Sequence, residues 1–290
     1  MPATKSILRY PGGKTQLSKF VYHTIQLNNI PSPIYCEAFC GGSGIAITLL
    51  LSGKVDEIVL NDFDSAIYSI WNAVIKETDR FINKIQQTPI TIDEWHRQHE
   101  IYNHLKNIRG YSFDLAYAAF FLNRTNRSGI IAGGPIGGMH QTSKYRLDCR
   151  SNIPALVQKI KNIAAYSSRI HLYSEDGIDF IENILPTYDK EKLFTYFDPP
   201  YYEQGQFLYK NGLTDTYHQQ LATAIQSLEH HKWITTYDNV QRIKNFYEAS
   251  TQFLYTLHYT ANVKRHEEEV LFTNQYTKIE SFDRVHLSPA

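Results

Sequence analysis

Residues 34–39, Ile-Tyr-Cys-Glu-Ala-Phe, read as a short buried strand that runs directly into Cys40-Gly41-Gly42-Ser43-Gly44 and an apolar stretch over 45–51. Strand, glycine-rich turn and helix in succession make the ligand-binding βα unit of open α/β sheets, in which ligands sit at the carboxyl ends of the strands. The glycines follow G-G-x-G rather than G-x-G-x-x-G, so a dinucleotide pyrophosphate is not indicated. Ser43 stands where it can cap the helix. A second strand over 57–60 ends in Asn61-Asp62-Phe63-Asp64. An acidic residue about 20 positions after such a turn commonly holds ribose hydroxyls. Asp62 is the better placed for that, and Asp64 is expected to cap the next helix.

Further apolar runs predict strands over 169–173, 193–197 and 233–237, with a closing antiparallel pair over 253–259 and 269–273. Helical patterns fall between, over 178–185, 217–228 and 240–249. This alternation argues for a mostly parallel sheet covered on both faces. Residues 66–168 break the rhythm with helical patterns over 67–86, 92–108 and 113–122. A loop near 123–147 follows, opening Asn123-Arg124-Thr125-Asn126-Arg127-Ser128-Gly129 and continuing through Gly133, Gly134, Pro135, Gly137 and Gly138. Around it lie Arg124, Arg127, Lys144, Arg146 and Arg150, with no acidic residue from 115 to 147. A basic loop rich in Asn, Gln and Thr suits phosphate contacts and base-edge readout; the alternative is a solvated, mobile loop.

The run 193–197 ends in Asp198-Pro199-Pro200-Tyr201. Two prolines in succession offer no N–H and fix φ, so the chain must leave the sheet there in a stiff turn. That turn presents a carboxylate, two carbonyls and an aromatic ring at a strand's C-terminal end. An exocyclic amine on a nucleobase is a poor nucleophile because its lone pair is delocalised. Acceptors on its two N–H bonds, here Asp198 and the Pro199 carbonyl, draw it towards tetrahedral geometry, while Tyr201 stacks on the base. The plainer alternative is a surface turn that happens to carry these residues.

Near the start, Gly13-Lys14-Thr15 resembles the end of a P-loop, but Leu8 occupies the position of its first glycine. Pro11-Gly12-Gly13 is expected instead to be a tight turn that admits a ligand close to the backbone, with Tyr10 packing and Lys14 neutralising an anion. Otherwise Lys14 is a solvated lysine. Lys+Arg and Asp+Glu balance at 29 each, which neither supports nor excludes a nucleic-acid partner. The 3 cysteines make no disulfide framework and have no zinc spacing with histidines. Without a signal-like opening or a membrane-length apolar run, the expected compartment is soluble, reducing and intracellular.

Taken in order, these segments resemble the Dam-type (D12 class) adenine-N6 DNA methyltransferases. Leu8-Arg9-Tyr10-Pro11-Gly12-Gly13-Lys14 is similar to that family's N-terminal motif, and residues 37–44 to its cofactor glycine loop. Asn61-Asp62 resembles the second-strand motif, residues 176–180 the third-strand motif, and Asp198-Pro199-Pro200-Tyr201 the catalytic motif. Glu269-Val270-Leu271-Phe272-Thr273-Asn274 resembles the late strand. The resemblance implies an α/β fold. This is a Rossmann-like methyltransferase sheet, mostly parallel with an antiparallel strand near the C-terminus, carrying an inserted, mainly helical DNA-recognition subdomain. Residues 1–65 and 169–290 would form the catalytic domain and 66–168 the insertion.

The resemblance further implies S-adenosylmethionine as methyl donor and the N6 of a flipped-out adenine in double-stranded DNA as acceptor. Tyr10, Lys14, Glu37, Phe39, Gly41, Gly42, Gly44, Asp62 and Asp176 would line the donor site. Asp198, Pro199, Pro200 and Tyr201 would hold the adenine, and Arg9, Arg124, Asn126, Arg127 and Lys144 would face DNA. No metal and no membrane are expected. The implied setting is a prokaryotic or phage-encoded cytoplasmic enzyme, with a cognate restriction endonuclease as a possible genetic partner. Close relatives carry aromatic-Asn-Gly where this chain has Asn126-Arg127-Ser128-Gly129, so no recognition sequence carries over. Ala38 stands where proline is common. The rivals are cytosine-N4 methylation, whose amine presents the same chemistry, and a catalytically silent DNA-binding regulator of the same fold.

Overall fold

The computed structural model describes residues 4–10, 13–203, 214–259 and 265–290, except for the side chains of 257–259 and 265–267. Pro11 and Gly12 of the expected tight turn lie outside the described residues. Strands β1 (Ile34–Glu37), β2 (Glu57–Asn61), β3 (Ile170–Tyr173), β4 (Leu193–Phe197), β5 (Lys232–Asp238), β6 (Thr251–Tyr259), β7 (Arg265–Thr273) and β8 (Ser288–Pro289) form one 8-stranded sheet. Their order is β3-β2-β1-β4-β5-β7-β6-β8. The first five are parallel, whereas β7 runs antiparallel to both β5 and β6. The short β8 comes from a tail whose sequence shows no strand pattern. From β1 the strand order runs outward through β2 and β3 on one side and from β4 to β5 on the other. The topological switch point, where ligands bind in such sheets, therefore lies between β1 and β4.

Side chains alternate across the sheet, as a period of two requires. Tyr35, Ile58, Leu60, Phe194, Tyr196 and Ile234 face one hydrophobic cluster; Cys36, Val59, Leu193, Phe197, Trp233 and Tyr237 face the other. The first face is covered by α1 (Ser18–Leu27), α2 (Gly44–Leu51), α3 (Ser65–Lys76), α4 (Thr78–Gln87), α5 (Ile92–Leu105), α6 (Phe113–Thr125) and α7 (Ile153–Ala164). The second is covered by a helical run over 177–187, which begins with α8 (Gly177–Asp179), then by α9 (Asp215–Gln226) and α10 (Gln241–Phe246). Trp71, Phe81 and Trp233 are at most 0% exposed, and a side chain of that kind contributes roughly 1.5–3 kcal/mol or more when fully buried. The helices between β2 and β3 thus share one core with the sheet.

Three local features differ from the sequence-based expectation. The single helix expected over 67–86 is two, because Glu77 leaves helical geometry at φ −125° and ψ 39°. The break turns Phe81, Ile82 and Ile85 into the cluster that also holds Ile70 and Val74. Ser43 does not cap α2: it adopts the left-handed region at φ 46° and makes no capping bond. Glu37 does so from the end of β1, its Oε1 accepting from the Ala46 N–H at 3.1 Å. Two helices, α1 and α7, have no counterpart in the sequence-based expectation. Asp64 does cap α3, accepting from the Ala66 N–H at 2.7 Å. Among the described residues no helix is long and apolar enough to cross a membrane, and no cluster of His, Cys, Asp and Glu is arranged to hold a metal.

Candidate active site

The turn after β1 is shaped by what lies on it. Gly41 adopts φ +42°, and a Cβ there would stand 2.7 Å from the Tyr10 ring; one on Gly42 would stand 2.7 Å from the Tyr10 Cβ. At Gly44 it would meet the Thr15 hydroxyl at 2.1 Å. The N-terminal segment therefore lies flat over a turn that only glycine leaves low enough. Ser6 secures it by donating to the Gly42 carbonyl at 2.5 Å. From beneath, Asp62 accepts from the Gly41 N–H at 2.7 Å and from its own neighbour Asp64 at 3.0 Å. Asn61 ties three strand ends together, donating to Ala38 and Glu175 and accepting from Glu175, each near 3.0 Å. Burial pushes Glu37 up to about 8, against the bonds from Ala46 and Tyr35, and pushes Asp62 up to about 7, with Asp64 adding to the shift.

Past β3, Asp176 accepts from the Ile178 N–H at 2.9 Å and from the Tyr217 hydroxyl at 3.0 Å. Gly177 lets the Phe39 ring close in; a Cβ there would lie 2.6 Å from it. Phe39, Asp176 and Tyr217 so meet at the ends of β1 and β3.

Across the switch point, Asp198 leaves β4 with its Oδ1 accepting from Thr236 at 2.8 Å, and Tyr196 bonds Thr236 in turn at 2.7 Å. Burial raises Asp198 to about 6; Lys14 lowers it, Glu269 raises it and the Thr236 bond lowers it. Asp238, at the end of β5, accepts from the N–H groups of Tyr202 and Glu203 at 3.0 and 2.9 Å, which fixes the chain after the two prolines. The Tyr201 ring stacks on Tyr237 at 6.4 Å.

Lys14 joins the two halves. It is 5% exposed, not solvated. Its ammonium donates to Glu269 Oε1 and Oε2 at 2.6 and 2.7 Å and also to the Tyr201 hydroxyl. Tyr255 donates to the same carboxylate at 2.5 Å. Glu269, Tyr255 and Thr236 were not among the site residues expected from sequence. The one usable signal was a glutamate opening the apolar run 269–273.

The residues expected to face DNA separate into two groups. Arg9 is turned inward: its backbone exchanges bonds with the Asn123 amide at 3.0 and 2.9 Å, and its guanidinium donates to the Asn126 carbonyl at 2.9 Å. Arg124 donates to the carbonyls of Ile7 and Arg150, and burial, then Arg9 and Arg150, bring it down to about 10. Asn126 is 0% exposed. Its side chain accepts from the Trp95 indole at 2.7 Å and donates to Ile130 and Ile131 at 3.0 and 2.8 Å. These three brace the loop from inside: Asn126 is buried, and Arg9 and Arg124 are half-buried. Arg127 and Lys144 are exposed, as are Arg146, Arg150, Met139 and Tyr145. The loop itself is an irregular hairpin closed by a bridge between Asn126 and Pro135.

A family model described as D12 class N6 adenine-specific DNA methyltransferase matches residues 10–268. Among curated protein sequences none matches this chain. Among solved structures, the rRNA methyltransferase aviRa from Streptomyces viridochromogenes aligns at a TM-score of 0.40 with 10% identity, covering 92% of this chain and 87% of that one.

Proposed function

Because the chain belongs to the D12 class of N6 adenine-specific DNA methyltransferases, we propose that it transfers a methyl group from S-adenosylmethionine to N6 of an adenine flipped out of duplex DNA. One observation carries this reading. Lys14 reaches Tyr201 of the proline turn, while Tyr10, four positions earlier, lies on Gly41 and Gly42. The two turns that flank the switch point are thus held by one short segment.

The residues present suit the donor. Asp62 accepts from two backbone N–H groups and from the Cys40 thiol, and an ionised carboxylate has about four lone-pair sites, so about one, on Oδ1, is left for a ribose hydroxyl. Phe39, the Tyr10 ring and the 46% exposed Phe63 supply apolar surface at the same strand ends. Asp176, already oriented by Tyr217, supplies an acceptor for an adenine amine. When bound, the donor supplies a methyl carbon already activated by positive sulfur.

The protein's own work is positioning and electrostatics. Asp198 and the Pro199 carbonyl accept from the two N6 hydrogens and return the nitrogen lone pair to the attack direction. With donor bound, the new N–C bond would form as the C–S pair left with sulfur, and the Asp198 carboxylate would offset the positive charge left on N6. N6 then sheds its surplus proton readily, to Asp198 or to water. Tyr201 stacks on the base, which offsets part of the few kcal/mol that unstacking costs. The exposed Arg127 and Lys144 contact phosphates.

Incubation with methyl-labelled donor and mixed-sequence duplex, followed by nucleoside mass spectrometry, tests the reading. N6-methyladenine is expected. N4-methylcytosine, or donor binding with no transfer to any duplex, would overturn it in favour of the cytosine or the silent-regulator alternative. Asp198→Ala should abolish transfer and leave donor binding intact.

A further inference from the structure

Lys14 and Glu269 form the one ion pair among the described residues with both side chains withdrawn from water, 3% and 1% exposed. Such a pair is a poor source of stability, since desolvating two charges offsets their attraction and apolar replacements are often as stable. Its position suggests another task. Lys14 ends the segment that covers the glycine turn, and its ammonium lies 4.8 Å from the centre of the Tyr201 ring. Glu269 sits opposite Asp238 in the β5–β7 register, and Asp238 clamps the chain after the two prolines. The Tyr255 hydroxyl also holds the Glu269 carboxylate, donating to Oε2, which Lys14 shares.

We propose that Glu269 is a positioning residue for methyl transfer, fixing the Lys14 ammonium against Tyr201 and offsetting its charge beside the cationic donor. This rests on the donor-and-adenine reading above. The donor arrives with positive sulfur, and the same charge passes to N6 as the C–S bond breaks. An uncompensated ammonium nearby repels both. Held bidentately by Glu269, Lys14 anchors the Tyr201 hydroxyl, and with it the ring under the base, as part of a neutral pair. Glu269 itself touches neither reactant and acts through Lys14.

The test compares wild type with E269Q, E269D, K14M and K14M/E269Q. It measures donor affinity by calorimetry, melting temperature, and kcat and KM for duplex by labelled-methyl transfer. E269Q should lower kcat about 100-fold, the size of losing one oriented polar group, with KM for DNA within about threefold. E269D, which keeps the charge, should recover part of the loss. In the K14M background the Glu269 substitution should change kcat by less than about threefold, because its effect runs through Lys14. The double variant leaves neither partner of the pair as a lone buried charge, and its melting temperature reports folding where E269Q does not fold. Equal slowing of wild type and K14M by E269Q, or near-wild-type turnover by the double variant, would overturn the proposal while active wild type keeps the function. Wild type that modifies no duplex removes the function and this inference together.

Discussion

The glycine turn after β1 offers a perturbation whose size is read directly from the structure. At Gly42, an added Cβ falls 2.7 Å from the Cβ of Tyr10, well inside the 3.4 Å at which ordinary contact begins. A Cβ cannot rotate out of the way, so Gly42→Ala must push the N-terminal segment off the turn by about 0.7 Å, an overpacking that costs about 1–3 kcal/mol. Gly53 is the matching control. It has φ +62° and nothing within 4 Å of its Cβ position, so Gly53→Ala carries only the left-handed backbone strain, about 1–2 kcal/mol. Gly41→Ala combines both, at φ +42° with the Tyr10 ring 2.7 Å away. Calorimetric titration with S-adenosylmethionine, alongside thermal melts, separates the terms. Gly53→Ala should lower the melting temperature by about 2–4 °C at unchanged donor affinity. Gly42→Ala should weaken donor binding at least about tenfold, which is about 1.4 kcal/mol. Wild-type donor affinity in Gly42→Ala would refute the idea that the close fit of Tyr10 on this turn shapes the donor site.

Methylation should fade as pH falls through about 6, where Asp198 takes up a proton. Thr236→Val, which removes a bond that lowers Asp198, should move that acid limb to higher pH in a kcat–pH profile. Glu37 titrates in the folded protein at about 8 against an ordinary 4.5, so the fold binds the extra proton. Wild type should therefore lose stability relative to Glu37→Gln as pH rises from about 4.5 to about 8, seen as a growing gap in melting temperature. Arg127→Ala and Lys144→Ala should each weaken duplex binding and reduce its salt slope by about 1, measured by titration at several salt concentrations. Asn126→Ala should instead cost about 1–3 kcal/mol of stability in denaturant melts, since it removes the partner of the Trp95 indole and of the Ile131 carbonyl, while Ile130 keeps the Gly133 N–H.

Much of this architecture was legible in the chain because parallel strands buried on both faces announce themselves as apolar runs. β1, β2, β4 and β5 fall within a residue or two of the predicted spans, and the proline pair marks the end of β4. The α7 pattern is equally readable in Leu156, Val157, Ile160 and Ile163 behind an Asn152 cap. The Glu77 break was not readable, because Glu, Thr and Asp are all tolerated in helices and only packing of the two halves demands the bend. Composition leaves the inner side of the loop unread for the same reason. Arg124 and Asn126 belong to a polar, basic stretch, yet local sequence does not say which polar side chains turn inward to satisfy carbonyls. Lys14 and Glu269, 255 positions apart, become partners only once β7 is laid beside β5.

Asn123 grips Arg9 through both its N–H and its C=O, as a neighbouring strand would, and the same amide reaches the Gly129 carbonyl at 2.8 Å. The root of the hairpin and the strap across the glycine turn are therefore fastened to a single side chain. Strain applied where a duplex would press on Arg127 has a route of three residues, Asn123, Arg9 and Tyr10, to the turn beneath. In mechanical terms this is a hinge pin, and it makes hairpin and strap answerable to one amide.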